Sequence, residues 1–120
     1  MCIRDSSSVF LVNTGWSGSS ATSGSSRIDL KKTKHIINLI TDGNLDFNKS
    51  VFDKFFNLEI PLDVCGLEND FLVPHYSWNN LEEYFSTGNM LTRLFNNNFE
   101  KFLIQDPDIL AAGPKTDLSA

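Results

Sequence analysis

The sequence has few cysteines, few basic residues and no long apolar run. Two cysteines, Cys2 and Cys65, are too few for a disulfide framework, so a reduced, cytoplasmic setting is expected. No apolar stretch approaches the roughly 20 residues of a membrane-spanning helix, so no membrane partner is predicted. Ten Lys and Arg stand against fifteen Asp and Glu, for a net charge of −5. This balance argues against nucleic-acid binding, which needs cations to neutralise phosphates.

Motifs that carry chemistry of their own are also missing. The sequence contains neither the G-x-x-x-x-G-K-[ST] phosphate loop nor a G-x-G-x-x-G turn that opens a helix. The spacing of His35, Cys65 and His75 matches no zinc pattern, and we interpret them as structural or surface residues. No Ser/His/Asp set and no pair of catalytic carboxylates is present. The sequence therefore predicts neither a metal site nor a catalytic residue in this chain.

The chain is short, and its 120 residues allow at most one domain with one modest core. Residues 1–8, which begin Met1-Cys2-Ile3-Arg4-Asp5-Ser6, resemble a translated sequencing-adapter tag, and we set them apart. Residues 9–114 have the patterning of a folded domain, and residues 115–120 form a C-terminal tail. A truncated piece of a larger protein is therefore expected.

Periodicity predicts a mixed α and β domain of the α/β class. Apolar runs bounded by turn residues predict short strands at 9–12, 27–30 and 55–60. An apolar period of 3.6 residues predicts helices at 33–42, 81–103 and 107–112. The Phe-rich stripe of the long helix is predicted to be core, with Gly88 marking close packing or a bend. We interpret Trp16 and Trp78 as packing residues.

Local signals define the ends of these helices. Gly43 stands where a C′ residue belongs, after the first helix. Asn80 is a predicted N-cap, with Glu83 three residues later as in a capping box. Asp106 is predicted to cap the last helix, with Pro107 in its first turn.

A Ser/Gly-rich loop, residues 13–26, leads from the first strand towards the first helix. Its composition fits a solvated linker and a ligand-approaching loop equally well. At its exit, Arg27 offers a planar guanidinium that stacks on an aromatic base or forks onto an anion. Thr33 offers a hydroxyl. A surface arginine in a weak ion pair and a threonine in a helix cap are the ordinary alternatives. The residues alone leave these alternatives open.

Five stretches, in order along the chain, carry a family resemblance: LVNTGWSG at 11–18, DGNLD at 42–46, FNLEIP at 56–61, LFNNNF at 94–99 and LAAGP at 110–114. With Arg27, Ile28 and Thr33 between the first two, this order resembles the C-terminal end of the ATP-dependent phosphoenolpyruvate carboxykinases. The resemblance covers Val9 to Pro114, and the first and last stretches are its most specific parts.

This resemblance implies part of an enzyme of gluconeogenesis that converts oxaloacetate and ATP to phosphoenolpyruvate, ADP and carbon dioxide, with Mg²⁺ and Mn²⁺. It implies that the chain is a fragment of the C-terminal nucleotide-binding lobe. Residue by residue, it assigns ATP binding near the adenine to Arg27, Ile28 and Thr33. The family's phosphate loop, metal ligands and oxaloacetate-binding arginine lie upstream of this segment, so the fragment is expected to be inactive. The alternative is a non-catalytic binding module derived from the same fold.

Overall fold

The computed structural model of the protein describes residues 8–18 and 26–119. The strands are β1 (Trp16–Ser17), β2 (Ser26–Arg27), β3 (Ser50–Asp53) and β4 (Leu58–Pro61). The helices are α1 (Leu30–Thr41), α2 (Asn69–Leu72), α3 (Leu81–Phe99) and α4 (Pro107–Ala112), with 3₁₀ turns at Pro74–Tyr76 and Glu100–Phe102. The predicted mixture of helix and strand is confirmed. Most of the predicted adapter segment and residues 19–25 of the Ser/Gly loop lie outside the described ranges.

Two antiparallel strand pairs replace the three predicted strands. The predicted strand at 9–12 is wrong: this segment is not paired with any described residue, and Val9 and Leu11 are 83% and 78% exposed. An apolar run forms a strand only when another strand accepts its hydrogen bonds, and β1 begins four residues further on. The strand predicted at 27–30 is also wrong beyond Arg27, because Leu30 already begins α1.

Helix α1 begins three residues before the predicted start because Asp29 caps it. The Asp29 carboxylate accepts from the Lys31 backbone N–H at 3.1 Å, which satisfies one of the free donors of the first turn. At the other end, Gly43 has φ +68° and its N–H donates to the Ile40 carbonyl at 3.2 Å. The predicted C′ role of Gly43 is confirmed.

The strand predicted at 55–60 proves to be half of a hairpin. Strands β3 and β4 pair antiparallel from Ser50–Pro61 to Asp53–Leu58. The turn between them forms because the Asp53 carboxylate accepts from the Phe56 N–H at 3.0 Å. Asn57 then adopts φ +58°, a left-handed conformation that Asn tolerates better than most residues. The prediction is therefore wrong over residues 55–57, which lie in the turn.

The two C-terminal helices follow the predicted signals. The Asn80 side chain accepts from the backbone N–H groups of Glu82 and Glu83 at 2.9 and 3.3 Å, and α3 starts at the next residue. The helix ends at Phe99 and continues as one 3₁₀ turn, so the predicted length is nearly right. Asp106 caps α4 with Pro107 in its first turn, as predicted.

The core of the described residues is small, and its largest side chain, Phe55, lies where the β3–β4 turn meets α3. The core consists of the buried side chains of Phe55, Val64, Val73 and Thr92. The Phe55 ring packs beside the rings of Tyr84 and Phe85, with centroids 5.6 and 5.5 Å away. Burial, with a smaller contribution from the Asp53 charge, raises the pKa of Tyr84 to about 12.

The apolar stripe of α3 is core only near its start, where Tyr84 and Phe85 pack against Phe55, so the prediction of a core stripe is wrong for the rest of the helix. Its later members remain largely open to solvent, and the Phe102 side chain is 65% exposed. A 3.6-residue period identifies a face that another layer is able to bury, but no described element forms that layer. None of the described helices combines the length and apolar character needed to cross a membrane.

Candidate functional site

The first candidate residue, Arg27, lies in a two-residue ladder at the mouth of the Ser/Gly loop. Trp16 is directly opposite Arg27, and Ser17 is directly opposite Ser26. Directly opposite residues of an antiparallel pair present their side chains on the same face. Arg27 is exposed, and Trp16 is 49% exposed, so the prediction that Trp16 is a packing residue is wrong. This face therefore presents an indole and a guanidinium together.

Ile28 continues the pairing with its backbone. Its N–H donates to the Gly15 carbonyl at 3.0 Å, so that donor is already used. Its side chain is half-buried beside the exposed Arg27, as expected when neighbours along an extended chain alternate between faces. Ile28 thus fixes the end of the ladder and offers a ligand only its carbonyl and an apolar side chain.

Thr33 lies in the first turn of α1. Its hydroxyl donates to the Asp29 carbonyl at 3.3 Å, and its backbone N–H donates to the same carbonyl at 3.1 Å. This is the ordinary contact of a threonine near a helix start. The hydroxyl oxygen keeps its lone pairs, because a threonine hydroxyl has one proton and two acceptor sites. Thr33 is therefore able to accept a hydrogen bond without losing its contact to Asp29.

Positive charge is concentrated around these residues despite the acidic balance of the whole chain. Arg27 is followed by three lysines on α1, Lys31, Lys32 and Lys34. Lys32 is partly engaged, since its ammonium lies 4.9 Å from the centre of the Phe71 ring. The segment from 27 to 34 therefore offers cationic surroundings that suit an anionic ligand.

Contacts from α1 and from the loop hold this segment against the rest of the fold. The His35 Nε2 lies 2.6 Å from the Cys65 carbonyl, and a Cβ added at Gly66 would lie 3.0 Å from that nitrogen. On the loop side, a Cβ added at Gly18 would lie 3.2 Å from the Ser77 carbonyl. The contacts of His35 are those of a structural residue, one of the two roles predicted for it. The ladder and the start of α1 are thus fixed by backbone and ring contacts.

No arrangement of the described residues fits a metal. Across residues 8–18 and 26–119, no three His, Cys, Asp or Glu side chains converge. A groove of about 320 Å³ borders Asp46, Lys49 and Asp63, away from the candidate residues. Lys49 and Asp63 form an ion pair in this groove, with the Lys49 ammonium 2.8 Å from the Asp63 carboxylate. The contact holds the pKa of Lys49 above and that of Asp63 below its usual value.

The resemblance assigns ATP binding to Arg27, Ile28 and Thr33, and the structure brings all three to the junction of β2 and α1. The sequence did not predict Trp16 as their neighbour. Trp16-Ser17 and Ser26-Arg27, at the two ends of the loop, become the two strands of the ladder. The Ser and Gly composition of the loop gives no signal of that pairing, since it is typical of linkers.

Comparison with known proteins agrees with the family resemblance seen in the sequence. A family model described as phosphoenolpyruvate carboxykinase matches residues 2–70. The chain is 38% identical over 106 residues to phosphoenolpyruvate carboxykinase (ATP) of Oceanobacillus iheyensis, an alignment that covers 88% of this chain and 20% of that protein. It is 39% identical over 107 residues to the corresponding protein of Caldanaerobacter subterraneus, covering 89% and 20%, and 37% identical over 108 residues to that of Emericella nidulans, covering 88% and 18%. The chain spans about a fifth of the length of these curated relatives.

Proposed function

The chain belongs to the ATP-dependent phosphoenolpyruvate carboxykinase family, and we propose that it supplies the adenine side of the ATP site of such an enzyme. The enzyme would convert oxaloacetate and ATP to phosphoenolpyruvate, ADP and carbon dioxide in gluconeogenesis. The chain would be part of its C-terminal nucleotide-binding lobe. The observation that carries the proposal is the junction of β2 and α1, where Arg27, Ile28 and Thr33 meet in cationic surroundings.

Each of the three residues has a role that its contacts permit. The exposed Arg27 guanidinium packs on the face of the purine, since it is planar and delocalised. The Thr33 hydroxyl, which already donates to Asp29, accepts from the exocyclic amino group that distinguishes adenine. The Ile28 N–H already donates to the Gly15 carbonyl, so Ile28 contributes its carbonyl and an apolar surface.

These contacts orient the nucleotide and take no part in bond making. Catalysis of phosphoryl transfer depends mainly on positioning and on electrostatic stabilisation. In the parent enzyme, Mg²⁺ and Mn²⁺ would neutralise charge at the phosphates and at oxaloacetate. The described residues do not fit a metal, so we assign no step on this chain to either ion. The cytoplasmic location stays a prediction from the two cysteines.

The coding sequence upstream of Val9, read together with an assay of the intact product, tests the proposal. An in-frame phosphate loop and metal-ligand segment, with carboxykinase turnover by the purified protein, is the expected result. A native start with no such segment upstream, and a product without turnover, would favour a non-catalytic module derived from the same fold.

A further inference from the structure

We propose that Trp16 is a fourth nucleotide-binding residue, whose indole stacks on the adenine base next to the Arg27 guanidinium. This inference rests on the proposed function and adds to it a residue that positions the base. The ligand chemistry is that of a purine ring: flat, aromatic and electron-rich enough to lie on an indole and against a guanidinium.

The register of the ladder is the first support. Trp16 and Arg27 are directly opposite each other in β1 and β2, and directly opposite residues share a face with Cβ atoms about 4.5–5.5 Å apart. A base held by Arg27 therefore lies within reach of the indole. Ser17 and Ser26 form the next pair and present their side chains on the other face.

The exposure of the indole is the second support. Trp16 is 49% exposed, and within the described ranges its ring takes part in no aromatic pair or cation–π contact. Trp78 behaves differently: it is half-buried and its ring centroid lies 5.7 Å from that of Tyr84. The described residues leave this large aromatic surface uncovered next to an exposed arginine, and a flat ligand is able to cover it.

The backbone around Trp16 is the third support, because it is fixed on both sides. The Asn13 carboxamide oxygen accepts from the Gly15 N–H at 3.0 Å, and the Gly15 carbonyl accepts from the Ile28 N–H at 3.0 Å. Gly18 has φ +90° and lies against Ser77. The backbone at Trp16 is thus held in place before any ligand arrives, which lowers the entropic cost of binding.

Steady-state kinetics of the intact enzyme provide the test. Trp16→Ala is expected to raise KM for ATP about tenfold, as base stacking on an aromatic side chain is typically worth that much. KM for oxaloacetate stays within twofold. Trp16→Phe keeps an aromatic face and is expected to stay within about threefold of the parent. Trp78→Phe, in the other tryptophan, is the matched control and leaves both KM values unchanged.

A second measurement isolates the base from the phosphates. Adenosine and inorganic tripolyphosphate are used as competitive inhibitors against ATP. Trp16→Ala is expected to weaken inhibition by adenosine about tenfold and to leave inhibition by tripolyphosphate unchanged. Equal weakening of both inhibitors, or no weakening of adenosine, would overturn the stacking role.

The outcomes also separate this inference from the proposed function. If Arg27→Ala raises KM for ATP and Trp16→Ala does not, Trp16 is not part of the site and the adenine-side function stands. If neither variant changes KM for ATP, the proposed function itself fails. Should Trp16→Ala not fold, Trp16→Leu replaces it. Equal kinetics for Trp16→Leu and Trp16→Phe would contradict a role for the aromatic face.

Discussion

The Phe55 ring lies so close to Gly88 that a Cβ added at Gly88 would be 2.6 Å from the ring's Cζ atom. Gly88 stands in the middle of α3, where glycine is unfavourable by about 1 kcal/mol relative to alanine. The contact explains why glycine is there: it lets the β3–β4 turn sit directly on the helix. Of the two roles predicted for Gly88 from the sequence, close packing or a bend, the structure therefore shows close packing.

Gly88→Ala is therefore expected to destabilise the protein, although alanine favours helix. Overpacking a core typically costs about 1–3 kcal/mol, which exceeds the propensity gain. The midpoint of urea unfolding of the intact protein measures the effect. Ser86→Ala, at an exposed position of the same helix, is the control and should be neutral or slightly stabilising. A rise in the midpoint for Gly88→Ala would contradict the contact.

The segment after α4 is held along α3 by Asn89. Its side-chain amide donates to the Leu118 carbonyl at 2.7 Å, and its oxygen accepts from the Leu118 N–H at 3.0 Å. Asn89→Ala removes both bonds and is expected to lower unfolding free energy by about 1–3 kcal/mol. Asn98→Ala, which removes only an exposed contact to Lys101, should change it far less. Equal effects of the two variants would contradict a stabilising role for the Asn89–Leu118 contact.

The same tail carries an ion pair whose pH dependence has a definite sign. Arg93 beside Asp117 holds the pKa of that carboxyl below its usual value of 3.8. A carboxyl whose pKa is lower in the folded than in the unfolded state stabilises the fold at pH values above its unfolded pKa. This stabilisation is lost as the pH falls through the folded pKa. We expect proteolysis of the tail to accelerate between pH 5 and pH 2 more in the parent than in Asp117→Asn. Because both side chains are exposed, the difference should be small and should shrink with salt. A larger acid effect in Asp117→Asn would reverse the assigned sign.

The Thr33 hydroxyl is expected to matter for ATP and not for oxaloacetate. Thr33→Val removes the acceptor and should raise KM for ATP about three- to tenfold, the value of one hydrogen bond. Thr33→Ser keeps the hydroxyl and should stay near the parent value. Initial-rate measurements on the intact enzyme at varied ATP give both numbers. Identical KM values for the Val and Ser variants would exclude a hydrogen bond from this hydroxyl to the base.

The 120-residue chain alone is expected to show no carboxykinase turnover and weak or no ATP binding. It presents the proposed base-side residues, but its described residues form no metal-binding group and leave most of the apolar face of α3 uncovered. A coupled assay for phosphoenolpyruvate formation, with the intact enzyme as positive control, measures this directly. Measurable turnover by the purified chain would contradict the prediction.

Sequence reasoning succeeded where the physics is local. Gly43, Asn80 and Asp106 were identified correctly because cap residues bond to backbone groups only a few positions away. It failed where the outcome depends on distant partners. The apolar run at 9–12 has the composition of a strand but no described partner, and residues 55–57 form a turn through the Asp53 carboxylate. Likewise, no pattern within one helix reveals whether a second layer covers its apolar face.

The residues of the candidate site also differ in how far the sequence predicts them. Arg27 and Thr33 were ambiguous from chemistry alone, since both are common surface and cap residues, and the resemblance to a family singled them out. The pairing of Trp16 with Arg27 was not predictable from composition, because ten residues, mostly Ser and Gly, lie between them in the sequence and only the ladder brings them together in space. That pairing came only from the structure.

Arg27→Ala in the intact enzyme tests the adenine-side role most directly, with Arg93→Ala as a matched arginine control on α3. We expect Arg27→Ala to raise KM for ATP about tenfold or more, as loss of a cationic stacking partner implies. KM for oxaloacetate should stay within twofold, and Arg93→Ala should change neither value. Equal increases in KM for ATP and oxaloacetate, or the same change in both variants, would contradict the assignment of Arg27 to the base of ATP.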